Sequence, residues 1–142
     1  MTPDLSRPAA RAALAAASLI AAACASAQTP SAYLRALEAQ MRSTSPDFAG
    51  FSARRGAALF KTTHGAEWSC ASCHTDNPVV SGKHAKTGKS IAPLAPAANA
   101  ERFTDPAKIE KWFKRNCNDV LGRACTPLEK GDVLTWLMSL KG

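Results

Sequence analysis

The chain has 142 residues, 46% hydrophobic and 20% charged, with a formal charge of +7. That length suits one domain and not two. No basic run is interleaved with aromatic residues as nucleic-acid binding would require, and beyond the N-terminal stretch no segment is long and apolar enough to cross a membrane. Arg7 and Arg11 precede an apolar run from Ala12 to Ala23, and Ala25-Ser26-Ala27 offers small residues before a cleavage point. This is the pattern of a secretory signal peptide. Residues 1–27 are read as that leader, and 28–142 as one periplasmic domain with no membrane span after processing. A retained anchor and lipoprotein processing at Cys24 are the competing readings. The run is too short for the first, and Ile20-Ala21-Ala22-Ala23 suits the second only loosely. Without Arg7, Arg11 and Asp4 the charge is about +6. That value suits docking to an acidic protein partner as well as it suits a merely soluble surface.

Residues 31–42 are expected to be helical, capped by Ser31, with Tyr33, Leu34, Leu37 and Met41 on one face. Pro46 and Gly50 mark a connector. Ser52 caps a second helix, whose Gly56 and Phe60 share a face and whose glycine admits another helix closely. Residues 75–101 form a long irregular segment bearing Lys83, Lys86 and Lys89, then Ile91-Ala92-Pro93-Leu94-Ala95-Pro96. Such a stretch is unusual unless something binds against it. Asp105 with Pro106 starts a third helix, in which Ile109, Trp112, Phe113 and Asn116 follow at i, i+3, i+4 and i+7. Thr126-Pro127-Leu128-Glu129 is a capping box that opens a last helix. Strand alternation and internal repeats are absent, so the expected fold is all-α, with short helices around a cofactor.

Cys70-Ala71-Ser72-Cys73-His74 is the C-x-x-C-H pattern of covalent haem attachment. Two thiols at this spacing add across the two vinyl groups of one haem, and the adjacent His reaches the iron. The competing readings are a thioredoxin-like redox pair, a zinc site or an ordinary disulfide. The first needs a strand-helix context and the second further ligands, and neither is evident. The cofactor is therefore read as a single covalent haem c, with His74 as proximal ligand. A carbonyl of the Ile91 to Pro96 segment is expected to accept the Nδ1–H of His74. The second axial ligand is less evident. Met41 and Met138 are expected to pack, and His64 and His84 to be solvated. Asn116 breaks the apolar pattern of its helix face. Either it caps the helix C-terminus or it points at the iron. Cys117 and Cys125 follow it, and a bridge between them would contribute about 2–3 kcal/mol through chain entropy.

Taken together these segments resemble the sphaeroides haem protein group of oxygen-binding cytochromes c. The resemblance runs from Arg55 to Leu140. It rests on Arg55-Gly56-Ala57-Ala58-Leu59-Phe60, Cys70 to His74, Thr87-Gly88-Lys89 and Arg102-Phe103-Thr104-Asp105. It rests most specifically on Arg115-Asn116-Cys117-Asn118 with Cys125-Thr126-Pro127. The resemblance implies a class I-like cytochrome c fold. It also implies Asn116 as a distal iron ligand released on reduction, a Cys117–Cys125 disulfide, and a dihaem cytochrome c as redox partner. The expected function is then electron exchange with such a partner and binding of a small diatomic ligand (O2, NO or CO) at reduced iron, with turnover of that ligand left open. The alternative is a simple electron-transfer cytochrome with no ligand chemistry.

Overall fold

Side-chain caps start the four longer helices of the computed structural model, which describes residues 29–142. The expected leader, Cys24 included, lies outside the described residues. Helix α1 spans Pro30–Thr44 and begins one turn position earlier than the sequence suggests. Thr29, not Ser31, is its cap, because Pro30 takes the first helical position and the hydroxyl before it accepts Ala32 N–H. Helix α2 (Ala53–Lys61) starts on Ser52, whose Oγ accepts Arg55 N–H. A single helical turn, α3, covers Ala71–His74. Helix α4 (Pro106–Leu121) starts on Asp105, and helix α5 (Pro127–Ser139) on the complete Thr126/Glu129 capping box.

Two further features were not read from the sequence. The long segment carries one short antiparallel pair, β1 (Gly82–Lys83) with β2 (Ser90–Ile91), in register Gly82 to Ile91. Strands of two residues leave no alternation to read. Helix α4 also runs on through Cys117 to Leu121, and Gly122 supplies the left-handed cap at φ 67°.

Helix α5 is the central element. Gly131 to Leu134, Trp136 and Leu137 are all buried, so it is covered on every side. Helices α2 and α1 pack against it. Tyr33, Leu37, Ile109 and Leu134 form one apolar cluster; Phe60, Val133, Trp136 and Leu137 form the other. Burying a side chain as completely as Phe60 stabilises by about 2–3 kcal/mol. The α2–α5 crossing is closer than ordinary side chains allow. A Cβ on Gly56 would stand 2.0 Å from the Asp132 carbonyl oxygen, and one on Gly131 would stand 2.1 Å from the Phe51 ring. A buried carboxylate fixes the crossing. Asp132 Oδ1 accepts Ser52 N–H at 2.6 Å and Arg55 Nη2 at 2.8 Å, and Oδ2 accepts Arg55 Nε at 2.6 Å. The fold is all-α apart from the small β pair.

Candidate functional site

The single turn α3 gathers three of the expected residues. Cys70 is its N-cap, Cys73 lies three residues on, and the His74 N–H donates to the Cys70 carbonyl at 3.0 Å. Residues at i, i+3 and i+4 share a face, so both thiols and the imidazole belong to one side of one turn. Ser69 and Ser72 hold its start by exchanging bonds: Ser69 N–H donates to Ser72 Oγ at 3.0 Å, and Ser72 N–H to Ser69 Oγ at 3.3 Å. Its end is abrupt. Thr75 adopts φ 64° and ψ 163°, a region that costs about 1–3 kcal/mol for a residue other than glycine. The Thr75 hydroxyl donates to the Asn77 carbonyl at 2.8 Å and helps to hold this turn.

Both thiols are free. Burial pushes the Cys70 thiol up to about 11, with Cys73 adding to the effect. Burial, then the Arg102 cation, lowers His74 to about 4. The imidazole is therefore neutral at pH 7, the form that ligates a metal. Phe60 stands beside it, with ring centroids 6.2 Å apart. Cys70, Ala71, Leu94 and Phe103 pack around the Phe60 cluster, giving the turn an apolar surrounding. Two unbridged thiols at this spacing, a neutral imidazole and apolar walls fit a haem c. Among the described residues, no three His, Cys, Asp or Glu side chains gather as a metal site in the manner of zinc.

Two segments close over this turn. The β1–β2 hairpin lies against Cys73, where a Cβ on Gly82 would stand 2.0 Å from the Cys73 carbonyl oxygen. Ala85 N–H points at Cys73 Sγ, 3.3 Å away. The Ile91 to Pro96 segment is fixed by Arg102, whose Nε donates to the Pro93 carbonyl at 2.9 Å and Nη2 to the Ala92 carbonyl at 2.7 Å. The expected bond from His74 to this segment is not formed. A charged fork with two donors takes two of the segment's carbonyls, those of Ala92 and Pro93. Sequence reasoning assigned Arg102 no role, since its partners lie nine and ten residues away and are backbone atoms.

The remaining expected residues sit on α4 and after it. The principal neighbours of α3 are α2 and β1, and α4 is not among them. Asn116 is half-buried and lies five residues before the end of α4, so it is not the C-terminal cap. Asn118 bonds the Lys114 carbonyl at 2.7 Å, whereas the Asn116 amide makes no hydrogen bond to a described residue. Cys117 and Cys125 are joined, with Cα atoms 5.5 Å apart. Trp112 was expected on the apolar face but is 47% exposed, flanked by Lys111 and Arg115. Of the other candidate ligands, His64 Nε2 is 2.9 Å from the Leu59 carbonyl oxygen, and His84 Nδ1 accepts Thr87 N–H at 3.3 Å. Met41 is buried in α1 and Met138 half-buried in α5.

Residues 46–137 match the family described as a domain of unknown function, DUF1924. The chain is 52% identical over 89 residues to the cytochrome c-type protein SHP of Cereibacter sphaeroides, covering 60% of this chain and 68% of that protein. It is 51% identical over 80 residues to cytochrome c'' of Methylophilus methylotrophus, and that match spans 56% of either chain. The solved structure of oxidised SHP, described as an oxygen-binding cytochrome c, superposes with a TM-score of 0.70 at 44% identity, over 80% of this chain and 98% of that one. Oxidised cytochrome c'' of Methylophilus methylotrophus gives 0.70 at 38% identity, over 80% and 95%.

Proposed function

Because the chain belongs to the DUF1924 family and to the family of c-type cytochromes that includes SHP, we propose that it holds one covalent haem c and exchanges its Asn116 ligand for a small diatomic molecule on reduction. Cys70 and Cys73 would carry the thioether links, and His74 would be the proximal ligand. When bound, the haem supplies one iron that changes by a single electron and takes a diatomic ligand in its ferrous state. The chain's own residues decide which ligands compete for that position. The neutral His74 imidazole offers its lone pair without first losing a proton. The Asn116 amide is an uncharged dipole, so its hold weakens when the charge of its partner falls by one. The Cys117–Cys125 bridge anchors the turn of α4 that carries this amide. Export to the periplasm, and an electron donor of the dihaem cytochrome c kind with an acidic surface, belong to the same reading.

The observation that carries the proposal is Asn116 itself. It is a half-buried amide inside a helix, beside a disulfide, with no hydrogen-bond partner among the described residues. Every buried side-chain polar atom among the described residues has a partner, so the Asn116 amide is accessible and open to a ligand from outside the chain. Asn116→Ala is expected to admit water or added anions in the ferric protein and to speed carbon monoxide binding in the ferrous one. An unchanged ferric spectrum together with unchanged carbon monoxide kinetics would overturn the assignment.

A further inference from the structure

We propose that the β1–β2 hairpin, with Lys83, Lys86 and Lys89, is the docking surface at which an acidic redox protein delivers or receives the electron, an inference that rests on the haem reading above. The three lysines are exposed, and none belongs to an ion pair among the described residues. From Trp68 to Ala100 the chain carries these three cations and a single carboxylate, Asp76. The hairpin is built to present them. Its turn is closed by His84 N–H to the Lys89 carbonyl and Gly88 N–H to the His84 carbonyl, both at 2.8 Å, with Gly88 at φ 66°. Lys86 is further placed by the Trp68 ring, 5.0 Å below its ammonium.

The same hairpin packs directly against the haem-binding turn. Gly82 meets the Cys73 carbonyl without room for a methyl group, and Ala85 N–H meets Cys73 Sγ at 3.3 Å. An acidic protein drawn to the lysines therefore rests on a hairpin whose own backbone is one hydrogen bond from the sulfur that would join the haem. One electron crosses there: the partner's reduced cofactor loses it and the ferric protein gains it, with no bond made or broken at the hairpin itself. Unpaired cations of one sign raise encounter rates with anions, steeply so at low salt.

The test uses the holoprotein and two anionic probes. Hexacyanochromate(III), a paramagnetic and redox-inert trianion, should broaden the amide resonances of residues 83–90 and the Trp68 indole before any others. Broadening concentrated instead on residues 108–115 of α4 would overturn the proposal. In the second arm, ferricyanide oxidises the ferrous protein at low ionic strength. Lys83→Glu with Lys86→Glu and Lys89→Glu should slow this reaction about tenfold or more. The control Arg35→Glu with Arg54→Glu and Lys141→Glu changes net charge equally, and should slow it far less. Equal slowing by both sets would mean that net charge alone acts, and would sink the proposal. The Soret band and carbon monoxide difference spectrum, recorded on every variant, report the haem reading separately. Their absence from the wild type would condemn that reading, whereas their presence beside a failed docking test would condemn only the hairpin.

Discussion

The α2–α5 crossing and the segment that closes over α3 lie in one small molecule and are held in opposite ways. At the crossing, glycines bring backbones into contact, aromatic and aliphatic side chains fill the surroundings, and one carboxylate receives three donors. Over α3, the chain is fixed mostly by donors meeting backbone carbonyls. Arg102 takes those of Ala92 and Pro93, and the Pro78 carbonyl accepts the N–H groups of Leu94 and Ala95. Apolar packing is dense and intolerant of added volume. Directed polar bonds fix a path for the chain while leaving its flanking surface free for a large flat group. The scaffold is thus set by shape, and the site by addresses on the backbone.

The sharpest way to break this contrast is Gly56→Ala. Its new methyl would enter the Asp132 carbonyl, and neither helix backbone can yield cheaply. A loss of roughly 3 kcal/mol or more is expected in denaturant unfolding of the holoprotein. A loss under 1 kcal/mol would show that the crossing has slack. Cys117→Ser with Cys125→Ser comes next, at about 2–3 kcal/mol for a short closed loop. If the bridge also orients Asn116, the ferric spectrum changes with it; if it only stabilises, the spectrum stays. Arg102→Leu frees the Ala92 carbonyl, leaves the Pro93 carbonyl only the long bond from Asn99, and should cost about 1–3 kcal/mol. Its more telling effect is faster amide exchange confined to residues near 91–96, with α2 and α5 unaffected. Uniform acceleration would erase the distinction between the two regions.

The smallest effect concerns pH. The Arg123 guanidinium holds Glu129 down to about 2, against an ordinary value of 4.5. A carboxylate lowered by folding stabilises fully above its unfolded value, and that contribution is lost as pH falls from about 4.5 through about 2. Arg123→Gln should flatten this part of the stability curve. The pair is partly solvated, so the change is small beside the others.

Legibility in the sequence followed the range of the interactions. Ser52, Asp105 and Thr126 announce their helices because a cap and its partner lie three residues apart. C-x-x-C-H is readable for the same reason. Gly56 betrays the crossing because a glycine on an apolar helix face has few other uses. Arg102 and Asp132 were silent, since their partners are backbone atoms or lie some eighty residues away. Trp112 misled by its period alone: its ring lies among cations at the surface, where Lys111 and Arg115 flank its face. The end of α4 was left open because Asn116 is a credible cap residue, and only Gly122 six residues later shows that the helix had not finished.

The bond from Ser52 N–H to Asp132 joins residues 80 apart. A ribosome making this chain has therefore produced α1, α2 and the cysteine turn long before α5 exists to receive them. The Phe60 cluster draws most of its members from residues 133–137, so it cannot condense during most of synthesis. Contacts that span so much chain also form slowly once they can form. Until then the cysteine-bearing turn has no core to lean on, and the emerging polypeptide is open to whatever chaperone meets it first.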